Sequence, residues 1–475
     1  MGLLPLLLRG APKRFLRASG SYRSLYESNS RRRRHGTDAA AADQAVNSRA
    51  DHRPDDQMLD FPGAKAAFTS RMEFISPNAA EAVPCFRILD DLGRALDGSD
   101  IPEVDSSLAV KMYHTMVRLQ TFDSIFYEAQ RQGRISFYLT NIGEEALNVA
   151  SAAALTKDDV VFPQYREHGV LMWRGFTLDE FANQCFSNEA GHGKGRQMPI
   201  HYGSEKLNYF TISSPIATQL PHAVGAAYGL KMDRKNACAV TYFGDGGSSE
   251  GDFHAACNFA AVLEAPVLFV CRNNGYAIST PACEQYKGKH SIQLLAFVLT
   301  TSQYFFLFLN FDAPGDGIVV RGRGYGMTSI RVDGNDALAV FKAVSAARKL
   351  AVEQSKPVLI EAMTYRVGHH STSDDSTKYR SGEEIAHWRS VRDPVLRFRR
   401  WLESNAWWSV EDEKELRGAA RKEVISAMNQ AEKKNKPPLS ELFTDVYDTL
   451  PRNLLEQEAT LRDTVSKNPP SLAPH

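Results

Sequence analysis

Two short apolar runs, each ending in a polar glycine-bearing loop, set the tightest limit on how this chain can fold. Residues 237–243 form a β-prone run that ends in Gly244-Asp245-Gly246-Gly247-Ser248. Residues 266–271 form a second, which ends in Arg272-Asn273-Asn274-Gly275-Tyr276, and the apolar stretch 253–263 between them has helical length. A strand, a helix and a strand in that order make a crossover, and so a parallel pair. The pattern continues with a strand at 328–332, a helix at 337–352 and a strand at 357–365. Strands alternating with helices predict an α/β fold whose parallel sheet is covered on both faces. In such sheets ligands bind beyond the carboxyl ends of the strands.

The two loops offer matching chemistry. Asp245 brings a carboxylate and Asn274 an amide oxygen, both hard ligands suited to magnesium. The glycines let backbone N–H groups approach an anion closely, and Arg272 adds positive charge. A lone GDG is more often a turn. GDG followed about thirty residues later by NN, each after an apolar strand, reads as a site for magnesium and a diphosphate.

The flanks differ from this centre. The first fifty residues carry a short apolar start, then Arg9, Lys13, Arg14, Arg17, Arg23 and the run Arg31 to Arg34, with Glu27 the one acid before Asp38. An Arg- and Ser-rich, acid-poor start predicts an organelle transit peptide at 1–50. Residues 51–109 read as an extended N-terminal arm. Helical spacing of Met112, Met116, Leu119, Phe122, Ile125 and Phe126 opens the main domain, expected over 110–400. A charged helical stretch at 411–434, after Trp407 and Trp408, predicts a C-terminal helical region at 401–475 with a frayed Pro-rich end.

Bulk properties exclude other classes. Formal net charge is zero, so neither a nucleic acid nor an anionic membrane is an expected partner. The six cysteines are scattered without a CxxC pair, which predicts free thiols in a reducing compartment. Gly322, Gly324 and Gly326 read as a structural turn. One segment breaks the pattern: residues 291–311, SIQLLAFVLTTSQYFFLFLNF, contain no charge and are long enough to span a membrane.

Longer motifs narrow the reading. GRISFYLTNIGEEA (133–146), FPQYREHGVLMWRG (162–175), GKGRQMPIHYG (193–203) and TISSPIATQLPHAVGAAYG (211–229) precede RNNGYAIST (272–280), SIRVDGND (329–336) and IEAMTYRVGHHSTSDDS (360–376). From about residue 61 to 451 the chain resembles the alpha subunits of branched-chain 2-oxoacid dehydrogenases, which are thiamine-diphosphate-dependent. The resemblance implies a parallel-sheet thiamine-diphosphate-binding fold with an N-terminal arm and a C-terminal helical region. It implies cofactor contacts from Tyr165, Arg166, Ser214, Gly246, Gly247, Arg272 and His370, with His370 also handling protons. It implies magnesium held by Asp245, Asn274 and the carbonyl of Tyr276, and potassium held by Ser213, Pro215, Thr218 and Gln219. Ser371 and Ser381 match the family's phosphorylation sites.

Partners follow from the same resemblance. They are a beta subunit, in a tetramer of two alpha and two beta chains, a lipoyl-bearing acyltransferase core, and a kinase and phosphatase, all in the mitochondrial matrix. The pyruvate dehydrogenase alpha subunit is the alternative, and Tyr165 with HHSTSDDS favours the branched-chain type. A non-catalytic isoform is another alternative, because residues 289–315 form an insert that the resembled family lacks. As a membrane span, the insert would put Asn274 and His370 on opposite sides of a bilayer, which a shared cofactor forbids. A looped-out apolar excursion is expected instead.

Overall fold

The computed structural model describes Met72 and residues 83–286, 291–300, 303–312 and 317–468. The chain divides into Met1–Phe74 and Ile75–His475, and the architecture below is that of the second unit. The transit peptide expected at 1–50 and the Pro-rich end lie outside the described residues.

In chain order the first elements are β1 (Cys85–Phe86), α1 (Ser106–Arg131), α2 (Glu145–Ala153), β2 (Val160–Phe162), α3 (His168–Arg174), α4 (Leu178–Cys185), α5 (Gln219–Met232), β3 (Ala239–Gly244) and α6 (Gly251–Leu263). There follow β4 (Val267–Asn273), β5 (Tyr276–Ala277), β6 (Thr280–Pro281), α7 (Ala282–Gln285), β7 (Ser291–Thr300), β8 (Gln303–Asp312), α8 (Val319–Gly324) and β9 (Thr328–Asp333). The last are α9 (Ala337–Gln354), β10 (Val358–Met363), α10 (Gly382–Val391), α11 (Pro394–Ser404), α12 (Val410–Glu432) and α13 (Arg452–Lys467). Six strands pair in parallel in the order β1-β9-β10-β4-β3-β2.

The sheet is covered on both faces, as the alternation of elements predicts. Every residue of β4 is buried. Leu268 and Val270 point into a core shared with α1, α2 and α9, whereas Val267, Phe269 and Cys271 point into a second core shared with α5 and α6. This explains why β4 reads as an unbroken apolar run rather than an alternating one. Each large side chain so buried contributes roughly 1.5–3 kcal/mol. All six cysteines are free, and Cys185, Cys238, Cys257 and Cys271 are buried.

The flanking segments join this core more closely than the sequence suggests. Cys85 and Phe86, read as part of an extended arm, form the edge strand beside β9. Asp336 fixes them there. One of its carboxylate oxygens caps α9 through the N–H groups of Leu338 and Ala339, and the other accepts from the N–H groups of Ile88 (2.8 Å) and Leu89 (2.6 Å). At the other end, α12 buries Ala420, Val424, Ala427, Met428 and Ala431 along one stripe, and packs on α1 and α4. Glu413 ties it down by accepting from the Tyr113 hydroxyl at 2.7 Å and the Trp408 indole at 3.1 Å. Gly322 and Gly324 lie inside the short helix α8, so the expected glycine turn is confined to Gly326.

The insert forms a β-hairpin, with β7 and β8 antiparallel from Ser291 opposite Asp312 to Thr300 opposite Gln303. The excursion therefore leaves and returns at one place. No helix among the described residues is long and apolar enough to cross a membrane. Deleting residues 289–315 is expected to leave the sheet intact and raise the yield of soluble protein, because closing a shorter loop changes the free energy by only about 0.6 kcal/mol per halving. Lower yield from the deletion would mean that the hairpin is part of the folding unit.

The start of α2 approaches the loop after β10 closely. Gly143 has φ +98°, and a Cβ there would lie 2.3 Å from the Tyr365 carbonyl oxygen and 2.9 Å from Val367 Cγ2. Gly98 also has positive φ, +72°, but faces open space. Gly143→Ala should destabilise by roughly 2–4 kcal/mol, from overpacking added to backbone strain. Gly98→Ala should cost about 1 kcal/mol. Side-by-side thermal melts check this, and equal small losses would show that the two segments can part freely.

Candidate functional site

Sheet register lines up the loops that matter. Gly244 pairs with Arg272 across β3 and β4, Asn273 with Met363 across β4 and β10, and Phe162 with Thr241 across β2 and β3. The loops after β2, β3, β4 and β10 therefore leave the same sheet edge side by side. They also touch. Gly244 N–H donates to Gln164 Oε1 at 2.7 Å, and Arg366 Nη2 donates to the Ile278 carbonyl at 2.8 Å. A Cβ on Gly246 would lie 2.7 Å from the Cβ of Ala277, so the loop after β3 can approach β5 only with glycine there.

Three arginines are buried among these loops: Arg166, Arg272 and Arg366, each 2% exposed or less. Two fully buried glutamates face them. Glu167 accepts from Arg272 Nε at 2.7 Å, and Glu144 accepts from Arg272 Nη1 at 3.1 Å. Arg166 donates to the carbonyls of Thr140 and His370, the latter at 2.9 Å, and its Nε lies 4.0 Å from Glu144. Burial opposes the charge on Arg272, yet Glu167 and Glu144 outweigh it and raise its pKa. Burial likewise works against the Glu144 carboxylate, but Arg272, Arg166 and the Asn274 amide hold its pKa below the usual range. Of these three arginines, two nitrogens, Arg272 Nη2 and Arg366 Nε, are buried without a hydrogen-bond partner. Cationic donors left this way are costly, and an anionic ligand would satisfy them. These residues fit a diphosphate.

Oxygen ligands lie beside them. Asp245 is 1% exposed, and its Oδ2 accepts from Gln285 Nε2 at 3.0 Å. Burial pushes its carboxyl up to about 6. A nearby cation would favour the ionised form. Asn274 donates through Nδ2 to Glu144 at 2.7 Å, which leaves Oδ1 as its acceptor, here 3.2 Å from the Tyr276 N–H. A carboxylate, an amide oxygen and a neighbouring backbone carbonyl could hold magnesium.

Of the other expected residues, Tyr165 and His370 meet directly, Tyr165 Oη lying 3.2 Å from His370 Nε2. His370 is further held by its own N–H, which donates to Asp374 at 2.8 Å. Its neighbour His369 is occupied elsewhere, accepting from the Ser376 N–H at 3.0 Å. In the loop before α5, Thr218 Oγ1 lies 3.3 Å from Ser213 Oγ and 3.1 Å from the Pro215 carbonyl. Gln219 donates its amide to the Tyr242 carbonyl at 2.8 Å. Gathered oxygens of this kind could hold potassium. Ile216 of the same loop comes near Gly247, where an added Cβ would lie 3.8 Å from Ile216 Cγ2. Ser214 meets none of the arginines, and its hydroxyl pairs with His201 Nε2 at 2.7 Å. Ser371 is buried beside His370, whereas Ser381 is exposed and caps α10 by accepting from the Glu384 N–H at 3.1 Å.

Sequence reasoning did not single out Glu144, Glu167, Arg366, Asp374, Gln285 or His201 as site residues. For Glu144 and Glu167 a signal existed: arginines that bind a ligand from inside an α/β core need buried acids, and both glutamates stand within the quoted motifs.

The His370 environment makes a pH prediction. Burial, then repulsion from Arg166 and Arg366, lower its pKa to about 3. The unfolded chain, with its histidine near 6.5, binds more protons between these values, so stability falls as pH drops from 6.5 toward 3. At pH 5 this amounts to 1.5 units at 1.36 kcal/mol each, about 2 kcal/mol. His370→Gln should therefore lose less stability than the parent between pH 6.5 and 5 in thermal melts without cofactor. Parallel curves would show that His370 is not held neutral by these groups.

Comparison with known proteins agrees with this geometry. Residues 113–296 and 313–440 match the family described as Dehydrogenase E1 component. The unmatched stretch between them, 297–312, falls inside the β7–β8 hairpin. The chain is 60% identical to 2-oxoisovalerate dehydrogenase subunit alpha 1, mitochondrial, of Arabidopsis thaliana over 436 residues, covering 90% of this chain and 87% of that protein. It is 49% identical to the Homo sapiens 2-oxoisovalerate dehydrogenase subunit alpha, mitochondrial, over 406 residues, or 86% and 85% of the two chains. The Dictyostelium discoideum counterpart is 51% identical over 80% of each. With the matched family covering five of the six sheet strands, the four loops and the helices through α12, the chain belongs to the dehydrogenase E1 component family.

Proposed function

We propose that this chain is the alpha subunit of a thiamine-diphosphate-dependent branched-chain 2-oxoacid dehydrogenase of the mitochondrial matrix, active together with a beta subunit. The observation that carries this reading is the set of unpartnered buried donors, Arg272 Nη2 and Arg366 Nε, on the same sheet edge as Asp245 and Asn274. Relatives named as mitochondrial 2-oxoisovalerate dehydrogenase alpha subunits support the substrate class and the compartment.

Thiamine diphosphate, when bound, supplies the centre that accepts the electron pair as a 2-oxoacid loses carbon dioxide. This chain's residues bind its diphosphate half. Arg166, Arg272 and Arg366 neutralise the phosphates, while Gly246 and Gly247 let the backbone approach closely. Asp245, the Asn274 amide oxygen and the Tyr276 carbonyl would hold magnesium, and Ser213, Pro215, Thr218 and Gln219 would hold potassium. His370 is neutral without a ligand; a diphosphate would offset the arginines that lower its pKa and so favour proton acceptance at Nε2, where the Tyr165 hydroxyl now lies. The beta subunit covers the other half of the cofactor, and a lipoyl-bearing acyltransferase core takes the acyl group.

The same loop offers control. A phosphoryl group on Ser371 adds about −1.5 to −2 charges beside His370, whose carbonyl Arg166 already grips. It would compete with the cofactor for that arginine. On Ser381 the group would sit at the start of α10, where negative charge is tolerated. A kinase acting at Ser371 and an opposing phosphatase fit this arrangement.

The decisive assay compares 3-methyl-2-oxobutanoate with pyruvate, using the chain alone and co-purified with a beta subunit. Decarboxylation is expected only in the complex, with the branched substrate at least tenfold better in kcat/KM. Turnover by the chain alone, or preference for pyruvate, overturns the proposal.

A further inference from the structure

Glu144 stands outside every set of residues expected to touch cofactor or metal, yet its side chain lies between two of them. It is the N-cap residue of α2, where an acidic side chain would ordinarily accept from the first free N–H groups of the helix. It makes no such bond. Its carboxylate, fully buried, is turned instead toward the sheet edge. Oε1 accepts from Asn274 Nδ2 at 2.7 Å, and Oε2 accepts from Arg272 Nη1 at 3.1 Å. The neighbouring Glu145 side chain turns elsewhere, accepting from the Gly143 N–H at 2.8 Å and from Gln120 Nε2 at 3.5 Å.

An ionised carboxylate can only accept hydrogen bonds. A primary amide has a donating end and an accepting end, so a carboxylate facing Asn274 admits one of its two orientations. Nδ2 must turn toward Glu144, and Oδ1 must turn away. Arg272 is constrained in the same manner. Glu167 takes Nε and Glu144 takes Nη1, which leaves Nη2 as the nitrogen without a partner. We propose that Glu144 is a positioning residue that sets the Asn274 amide and the Arg272 guanidinium with one carboxylate, coupling the metal side of the site to the diphosphate side. This rests on the reading that Asn274 binds magnesium and Arg272 the diphosphate.

The test uses the complex with its beta subunit and reads metal binding directly, by Mn²⁺ paramagnetic resonance at fixed thiamine diphosphate, beside steady-state kinetics. Glu144→Gln should weaken Mn²⁺ binding about 10- to 100-fold, the range usual for residues that orient a metal ligand. Turnover at saturating metal and cofactor should stay within a few-fold, so the half-saturating metal concentration moves and kcat does not. Asn274→Asp alone should also weaken binding, because two carboxylates then face each other. The double variant E144Q/N274D rebuilds the pair with its polarity reversed, the Gln amide donating to the Asp carboxylate, and should bind Mn²⁺ at least tenfold better than E144Q.

Mn²⁺ affinity of E144Q within twofold of the parent, or a double variant no better than E144Q, overturns the proposal. Should E144Q fail to assemble, Glu144→Asp carries the test: it keeps the charge but withdraws from Asn274, and parental affinity there overturns the proposal equally. Asp245→Ala separates the two levels. If it binds metal and cofactor normally, the site reading itself falls; if it loses both while E144Q is unchanged, only the role of Glu144 falls.

Discussion

Everything at the functional edge depends on keeping guanidinium groups charged out of water. Arg166, Arg272 and Arg366 are buried almost completely, and moving an isolated cation into such a place costs several kcal/mol even after relaxation. Glu144 and Glu167 make it possible by meeting Arg272 along two edges of its fork, while backbone carbonyls meet Arg166. The pairing is incomplete by two nitrogens, Arg272 Nη2 and Arg366 Nε. A wholly satisfied cluster would have little left to offer a ligand. A cluster short of acceptors, fixed in a low-dielectric setting, is already polarised to favour an anion.

The fold provides this through its helix starts as much as through its strands. Glu144 and Glu167 are the N-cap residues of α2 and α3, and neither uses its side chain to cap its helix. Glu167 accepts instead from the N–H groups of Gln164 and Arg166, and so shapes the loop after β2 from within. The sheet holds the opposite wall. Parallel pairing brings β2, β3, β4 and β10 to a common edge, and the burial of β4 on both faces fixes that edge in depth. Two helices and four strands thus address one volume, which no single loop could do with comparable rigidity.

Much of this was legible in the sequence because periodicity reports burial. The runs at 237–243 and 266–271 and the helix at 337–352 lie where the spacing puts them, displaced by one or two residues. Asp245 and Asn274 were legible because strand ends in an α/β sheet face ligands. What sequence hid were the partners. A glutamate in GEEA or REH looks like any solvated acid until the fold shows that its helix start is internal. The edge strand at Cys85–Phe86 was hidden for another reason: two residues are too few to carry a period, and what holds them is distant in sequence, pairing with β9 and the Asp336 carboxylate on the Ile88 and Leu89 N–H groups just beyond. His201 was invisible for want of pattern, since it acts through two bonds, one to the nearby Pro199 carbonyl and one to Ser214.

The insert raises the question of why an apolar hairpin can be tolerated between α7 and α8. Its flanks answer it. Before the hairpin, Gln285 donates to Asp245; after it, the N–H groups of Ile318 and Val319 both donate to Glu361 at 3.0 Å. Glu361 is fully buried in β10 and also accepts from Asn273 Nδ2 at 2.7 Å, one residue before Asn274. The chain is thus anchored to the site on both sides before it departs and as soon as it returns. Because Ser291 pairs with Asp312, the hairpin closes on itself and need not pull on either anchor. Added length of this kind enters the free energy only weakly, through loop closure, whereas losing the Glu361 carboxylate would leave Asn273, Ile318 and Val319 with buried donors unpaired. The site is therefore more sensitive to one buried acid in its wall than to two dozen residues inserted outside it.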